Sequence, residues 1–103
     1  MSEVRAFKLS SGEEVIAKIE QDFNDKVVIS KPRVVQAMRM KDGAVGISLV
    51  PWIFSGSDTQ PVTLFFSNIV TVVSPIPEMV DNYLRETSGL DLSQAAPKSI
   101  LTG

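Results

Sequence analysis

Residues 26–40, Lys-Val-Val-Ile-Ser-Lys-Pro-Arg-Val-Val-Gln-Ala-Met-Arg-Met, decide the fold. Valines and an isoleucine give the stretch an extended reading, interrupted by Pro32 alone. Fully extended it would reach roughly 50 Å, about twice what a domain of this size accommodates as a straight strand. The strand therefore has to bend, and Pro32, which cannot donate to a ladder, marks a bend or bulge. One bent strand can serve both halves of a sheet, which implies a small, strongly curved barrel.

The flanks supply the rest of the sheet. On the N-terminal side, Val4 to Leu9 predicts a short strand, and Ser10-Ser11-Gly12 a turn closed by glycine. Val15, Ala17 and Ile19 then alternate with Lys18 and Glu20, the pattern of a half-buried strand. Asn24-Asp25 marks the next tight turn. On the C-terminal side, Asp42-Gly43 is the strongest hairpin signal in the chain. Ala44 to Phe54 returns with Val45, Ile47 and Leu49 in alternation and Pro51 and Trp52 near its end. A polar loop over residues 55–61 leads to two apolar runs, Val62 to Phe66 and Ile69 to Val73, separated by Ser67-Asn68. Pro77 opens a helix of about eleven residues, with Glu78 and Asp81 in its first turns and Gly89 beyond its end. Met79, Val80, Tyr83 and Leu84 form its apolar stripe, and Asp81 and Arg85 an i,i+4 pair. A helix this short is marginal alone in water, so the stripe has to dock on the barrel or on a neighbouring subunit. The expected architecture is mainly all-β: a five-stranded barrel over residues 1–76, a short C-terminal helix over 77–89, and a partly ordered tail over 90–103.

Composition narrows the function. The 103 residues suit one domain with one core. With no cysteine there is no disulfide, thiolate metal site or cysteine nucleophile, and with no histidine the usual general base and metal ligand are gone. Phosphate loops, metal motifs and nucleophile elbows are missing too, so neither an enzyme nor a cofactor is expected. Glu13 and Glu14 are adjacent and point apart in a strand, which rules them out as an acid/base couple. The chain has no apolar run of membrane-span length and no targeting signal at its start, and reads as soluble and cytoplasmic. A net charge of −2 and a pI near 5.0 argue against a broadly basic nucleic-acid binder. Basic residues nevertheless concentrate at Lys26, Lys31, Arg33, Arg39 and Lys41, with no acid between them. These form either a local positive stripe or, more plainly, a solvated strand face.

At this point the residues resemble a family. Leu9-Ser10-Ser11-Gly12-Glu13-Glu14-Val15-Ile16-Ala17-Lys18-Ile19 is similar to the first motif of Sm-like proteins, and Asn68-Ile69-Val70-Thr71-Val72-Val73-Ser74-Pro75 to the end of the second. With the run from Val27 to Val35, the pattern looks most like the Sm-like proteins of marine phages. The resemblance covers roughly residues 4–75 and implies an Sm-like/SH3-like barrel that pairs with copies of itself in a ring of about five to seven. It also implies single-stranded RNA as a partner, with other proteins as the alternative. Two departures stand out: Phe65-Phe66 occupies the places where the family usually has Arg-Gly, and the helix follows the barrel instead of preceding it.

The resemblance directs attention to two turns. Asp22, Phe23 and Asn24 lie in one; Phe66, Ser67 and Asn68 lie in or beside the other. In an Sm-like ring both face the central hole, where an amide and an exposed aromatic hydrogen-bond and stack bases. Lys26 and Arg39 are the candidate phosphate contacts. The plainer alternatives are that Asn24 serves turn geometry and Phe23 the core. Trp52 and Phe54 could be an exposed anchor, although an aromatic at a strand end more often belongs to core or interface.

Overall fold

A computed structural model describes residues 3–88. It contains six strands: β1 (Glu3–Leu9), β2 (Glu14–Asp22), β3 (Lys26–Arg39), β4 (Val45–Pro51), β5 (Val62–Phe65) and β6 (Ile69–Val73). A single 3-10 turn, Phe66–Asn68, separates the last two, and one helix, α1 (Pro77–Thr87), follows. The mainly β class with one short helix holds, but the sheet has six strands where five were expected. The sheet is antiparallel in the order β4-β3-β2-β1-β6, with β5 also on β3.

The long strand bends beside the proline. Along β2, Ile16 pairs with Arg33 and Lys18 with Ser30, so β3 carries an extra residue across this interval. Lys31 holds a left-handed φ of 51°, rare for a residue with a Cβ. On the edge away from β2, β3 changes partner at this bend. Residues Lys26 to Ile29 pair with β5, and Arg33 to Arg39 pair with β4. β4 ends at Pro51 instead of running to Phe54, and the Trp52 N–H donates to the Pro32 carbonyl (3.3 Å). Gly43 closes the β3–β4 hairpin at φ 89°, its N–H donating to the Met40 carbonyl (3.0 Å).

Both faces of the sheet's centre are covered. On the inner face, Phe7, Leu9, Val15, Ala17, Val27, Ile29 and Leu64 form the core, with Trp52 packed against it. On the outer face, Ala6, Ile16 and Arg33, which the register places side by side, are buried. The outer face also receives α1. Tyr83, fully buried, donates its hydroxyl to the carbonyls of Lys31 (2.8 Å) and Ser30 (3.1 Å), and Lys31 Nζ donates to the Thr87 carbonyl (3.2 Å). The buried positions are Tyr83 and Thr87, while Leu84, assigned to the stripe from sequence, faces outward at 40% exposure. Position 84 lies a further 100° round the helix from 83, which carries it off the sheet. Arg85 bonds Asn82 and not Asp81, since its guanidinium turns back one residue short. Gly89 and the tail over 90–103 lie outside the described residues.

Candidate nucleic-acid interface at two adjoining turns

The β2–β3 turn occupies Phe23 to Asp25, because β2 continues through Asp22 to its pairing with Val27. The Phe23 N–H closes the turn on the Lys26 carbonyl (2.9 Å). β5 lies on the other side of Lys26, which pairs with Phe65, so the chain leaving β5 meets this turn. There the Phe66 N–H donates to the Asp25 carbonyl (3.0 Å). At the far end of the 3-10 turn, the Asn68 carbonyl accepts from the Ser10 N–H (2.9 Å). The backbone thus brings Asp22, Phe23, Asn24, Lys26, Phe66, Ser67 and Asn68 into one rim, and adds Phe65. The sequence singled out Phe65 only as a departure from the family's Arg-Gly; its exposure follows from its place on an open edge.

This rim is polar and aromatic. Phe23, Phe65 and Phe66 are 46%, 48% and 42% exposed. Lys26 Nζ sits 5.2 Å from the centre of the Phe23 ring, and 4.0 Å from Asp25 Oδ1 at the limit of an ion pair. An aromatic carrying a cation on one face still offers the other for stacking. The side-chain amides of Asn24 and Asn68 make no hydrogen bond among the described residues, which leaves donors and acceptors free beside the ring. Arg39 does not join them. It lies at the other end of β3, past the bend and near the hairpin tip, because the strand that carries it also carries Lys26 and changes partner between the two.

A second polar arrangement holds the loop after β4. Arg33 lies buried beneath it and makes paired bonds to Asp58, Nη2 to Oδ2 at 2.6 Å and Nη1 to Oδ1 at 3.0 Å. Those bonds hold the Asp58 carboxyl below its usual range, and the same bonding raises the guanidinium above its own. Such planar two-point pairing positions a loop over a bend. Trp52 completes the attachment, its ring on the core and its Nε1 donating to Glu13 (3.3 Å), whereas Phe54 is 80% exposed. Among the described residues no cluster of acids could hold a metal, and no helix is long and apolar enough to cross a membrane.

The remaining feature is the open edges. Among the described residues, β6 pairs with β1 alone, and β5 with β3 alone. Val72 pairs with Phe7 and shares its core face, yet is 45% exposed, so the core runs out to the β6 edge uncovered. Val70 and Val73 are 67% and 51% exposed along the same strand. A long bent strand shared between β4 and β5, and a 3-10 turn joining the edge strands β5 and β6, make a small, strongly curved antiparallel sheet. The Sm_like domain family matches residues 6–84, and the chain belongs to that family. No curated protein matches the chain.

Proposed function

We propose that the chain assembles head to tail, the free edge of β5 against the free edge of β6 in the next copy, into a homo-oligomeric ring of about five to seven. The observation that carries this is Val72: a core-facing side chain at an uncovered edge is stabilised by an identical neighbour continuing the core. The ring presents the Phe23–Asn68 rim once per copy and binds single-stranded RNA there. Phe23 stacks a base, Asn24 and Asn68 read its edge, and Lys26 meets the phosphate. No reaction is part of this reading; the protein acts as a cytoplasmic RNA-binding scaffold, within a host cell if it comes from a phage.

Light scattering at micromolar concentration should give a mass of five to seven copies. Fluorescence anisotropy with short U-rich and A-rich RNAs should give saturable binding that weakens as salt rises. Phe23→Ala should lower affinity about 5- to 150-fold, the equivalent of one stacked base. An absence of saturable binding at low salt, with the ring intact, would refute the RNA assignment. That outcome would favour the second reading, a structural or protein-interaction ring. The carboxylates of Asp22 and Asp25 support this alternative, since they place two acids beside the single Lys26 on the rim.

A further inference from the structure

β4 lies at one end of the sheet and, among the described residues, pairs with β3 alone. Two backbone bonds bracket the ladder between them, from the Met40 N–H to the Ala44 carbonyl (2.8 Å) and from the Trp52 N–H to the Pro32 carbonyl (3.3 Å). Bonded and non-bonded pairs alternate in an antiparallel ladder. The bonded pairs inside the brackets are therefore Met38 with Gly46, Gln36 with Ser48 and Val34 with Val50. Val45, Ile47 and Leu49 turn their N–H and C=O groups the other way, to the free edge. Pro51 follows in the same phase, and it has no N–H to leave unpaired.

This edge has a wall beside it. Leu49 pairs with Val35, two residues from Arg33, so Leu49 and Ile47 lie on the outer face with α1. Between them and the helix opens a groove of about 600 Å³, lined by Ile47, Ser48, Leu49, Asn82, Arg85 and Glu86. Ile47 is 50% exposed and Leu49 half-buried. Arg85 and Glu86 leave the groove without net charge, which gives a phosphate or other anion no advantage there. It offers instead a row of backbone donors and acceptors beside apolar side chains, the receptor for an added β-strand.

The chain itself supplies a strand of that kind. α1 ends at Thr87, and Ser88, two residues past Glu86, is already extended (φ −79°, ψ 127°). Gly89-Leu90-Asp91-Leu92-Ser93-Gln94 follows, with leucines and polar residues in alternation. Residues 89–103 can extend to about 50 Å, twice the ~23 Å of the seven-residue β4, so they reach the whole edge. Tethered at the groove wall, the segment also has the advantage over any free partner of equal affinity. We propose that the segment after α1 pairs with the free edge of β4 in its own copy, with Leu90 and Leu92 covering Ile47 and Leu49. Asp91 and Ser93 then share the opposite face with Gly46 and Ser48. The added strand guards an edge that is otherwise open to pairing with other chains, and it does so in a monomer as well as in a ring.

Amide hydrogen exchange on the full chain should show Val45, Ile47 and Leu49 protected. Leu90→Asp with Leu92→Asp should speed their exchange about 5-fold, one net hydrogen bond apiece, while Gly46 and Ser48, bonded to β3, keep their rates. Fast exchange at the three amides in the wild type, or unchanged rates in the variant, would overturn the proposal. Because the chain has no cysteine, Ile47→Cys can also be combined in turn with Leu90→Cys, Asp91→Cys and Leu92→Cys under mild oxidation. The expected result is a disulfide within one chain from position 90 or 92 and none from 91. Equal yield from 91, bonds between chains only, or no bond at all counts against the added strand. None of these readouts needs an oligomer, so their failure leaves the ring reading standing, and a monomeric mass leaves this one standing.

Discussion

The hydroxyl of Tyr83 gives this fold an alkaline limit that can be calculated. It is fully buried against the sheet, and that burial, opposed by a backbone hydrogen bond from Lys18, pushes its ionisation up to about 12 from an ordinary 10.0. Between these values the unfolded chain has released the phenolic proton and the folded chain still holds it. Rising pH therefore favours unfolding in that window, and the stability linked to this group is complete below pH 10 and lost as pH approaches 12. Two pKa units correspond to about 2.7 kcal/mol, or a fall in Tm of roughly 10–20 °C for a domain of this size. Tyr83→Phe removes this dependence. At neutral pH the variant leaves the carbonyls of Ser30 and Lys31 without their donor and should be about 1–2 kcal/mol less stable. The stability difference should close between pH 10 and 12 and then change sign, with lysine titration cancelling between the two proteins. The chain has one tyrosine, so absorbance at the tyrosinate band reports the group directly. A midpoint near 10 in the folded protein, or parallel stability curves for wild type and variant, would refute the reasoning.

Other perturbations follow from the same geometry. Val72→Lys places a charge on the uncovered end of the core and should shift the light-scattering mass toward the monomer while the far-UV spectrum stays β; an unchanged mass would remove β6 from the interface. Gly43→Ala forces a Cβ into φ 89° and should lower stability by about 1 kcal/mol in denaturant titration, although nothing lies within 4 Å to clash with it. Asp58→Asn cannot hold both nitrogens of Arg33, and limited proteolysis should cut residues 52–61 faster. In the wild type the same loosening should set in on acidification, as pH falls through the depressed Asp58 ionisation, because a carboxyl held below its usual range contributes only while charged.

Much of the fold was legible because it is written in short-range signals. Pro32 in an over-long strand, Asp42-Gly43, Gly12 and Pro77 each fix local backbone, and the bend, the turns and the helix start follow from them. The sheet's sixth strand was less so: the break at Phe66–Asn68 reads in sequence as a small interruption and acts in space as a turn between two edges. The rim residues were legible as turn residues, but their meeting depends on one long-range bond from Phe66 to Asp25, which no local pattern encodes. The same holds for Arg33, one cation in a basic run until the loop returns Asp58 to it, and for Arg39, which shares that run with Lys26 and ends at the opposite end of the strand. Leu84 went astray through periodicity, because a stripe of four apolar residues on a short helix is wider than the face that a curved sheet buries.

The bend at Lys31 and Pro32 connects these features. A left-handed lysine before a proline is unfavourable on two counts, since its Cβ meets the following carbonyl and the proline ring restricts the residue ahead of it. The conformation persists because α1 satisfies it from outside: Tyr83 caps the freed carbonyls of Ser30 and Lys31, and Lys31 returns a bond to Thr87. That explains a helix placed after the barrel, where its buried face can reach the outer side of a completed bend. The bend also sets the angle between the two ends of β3, one holding the rim at Phe23 and Lys26, the other the hairpin at Met38 and Arg39. Loosening the Tyr83 contact would therefore free the two ends of β3 to move relative to each other, and the rim at Phe23 and Lys26 would lose its fixed place against the rest of the sheet.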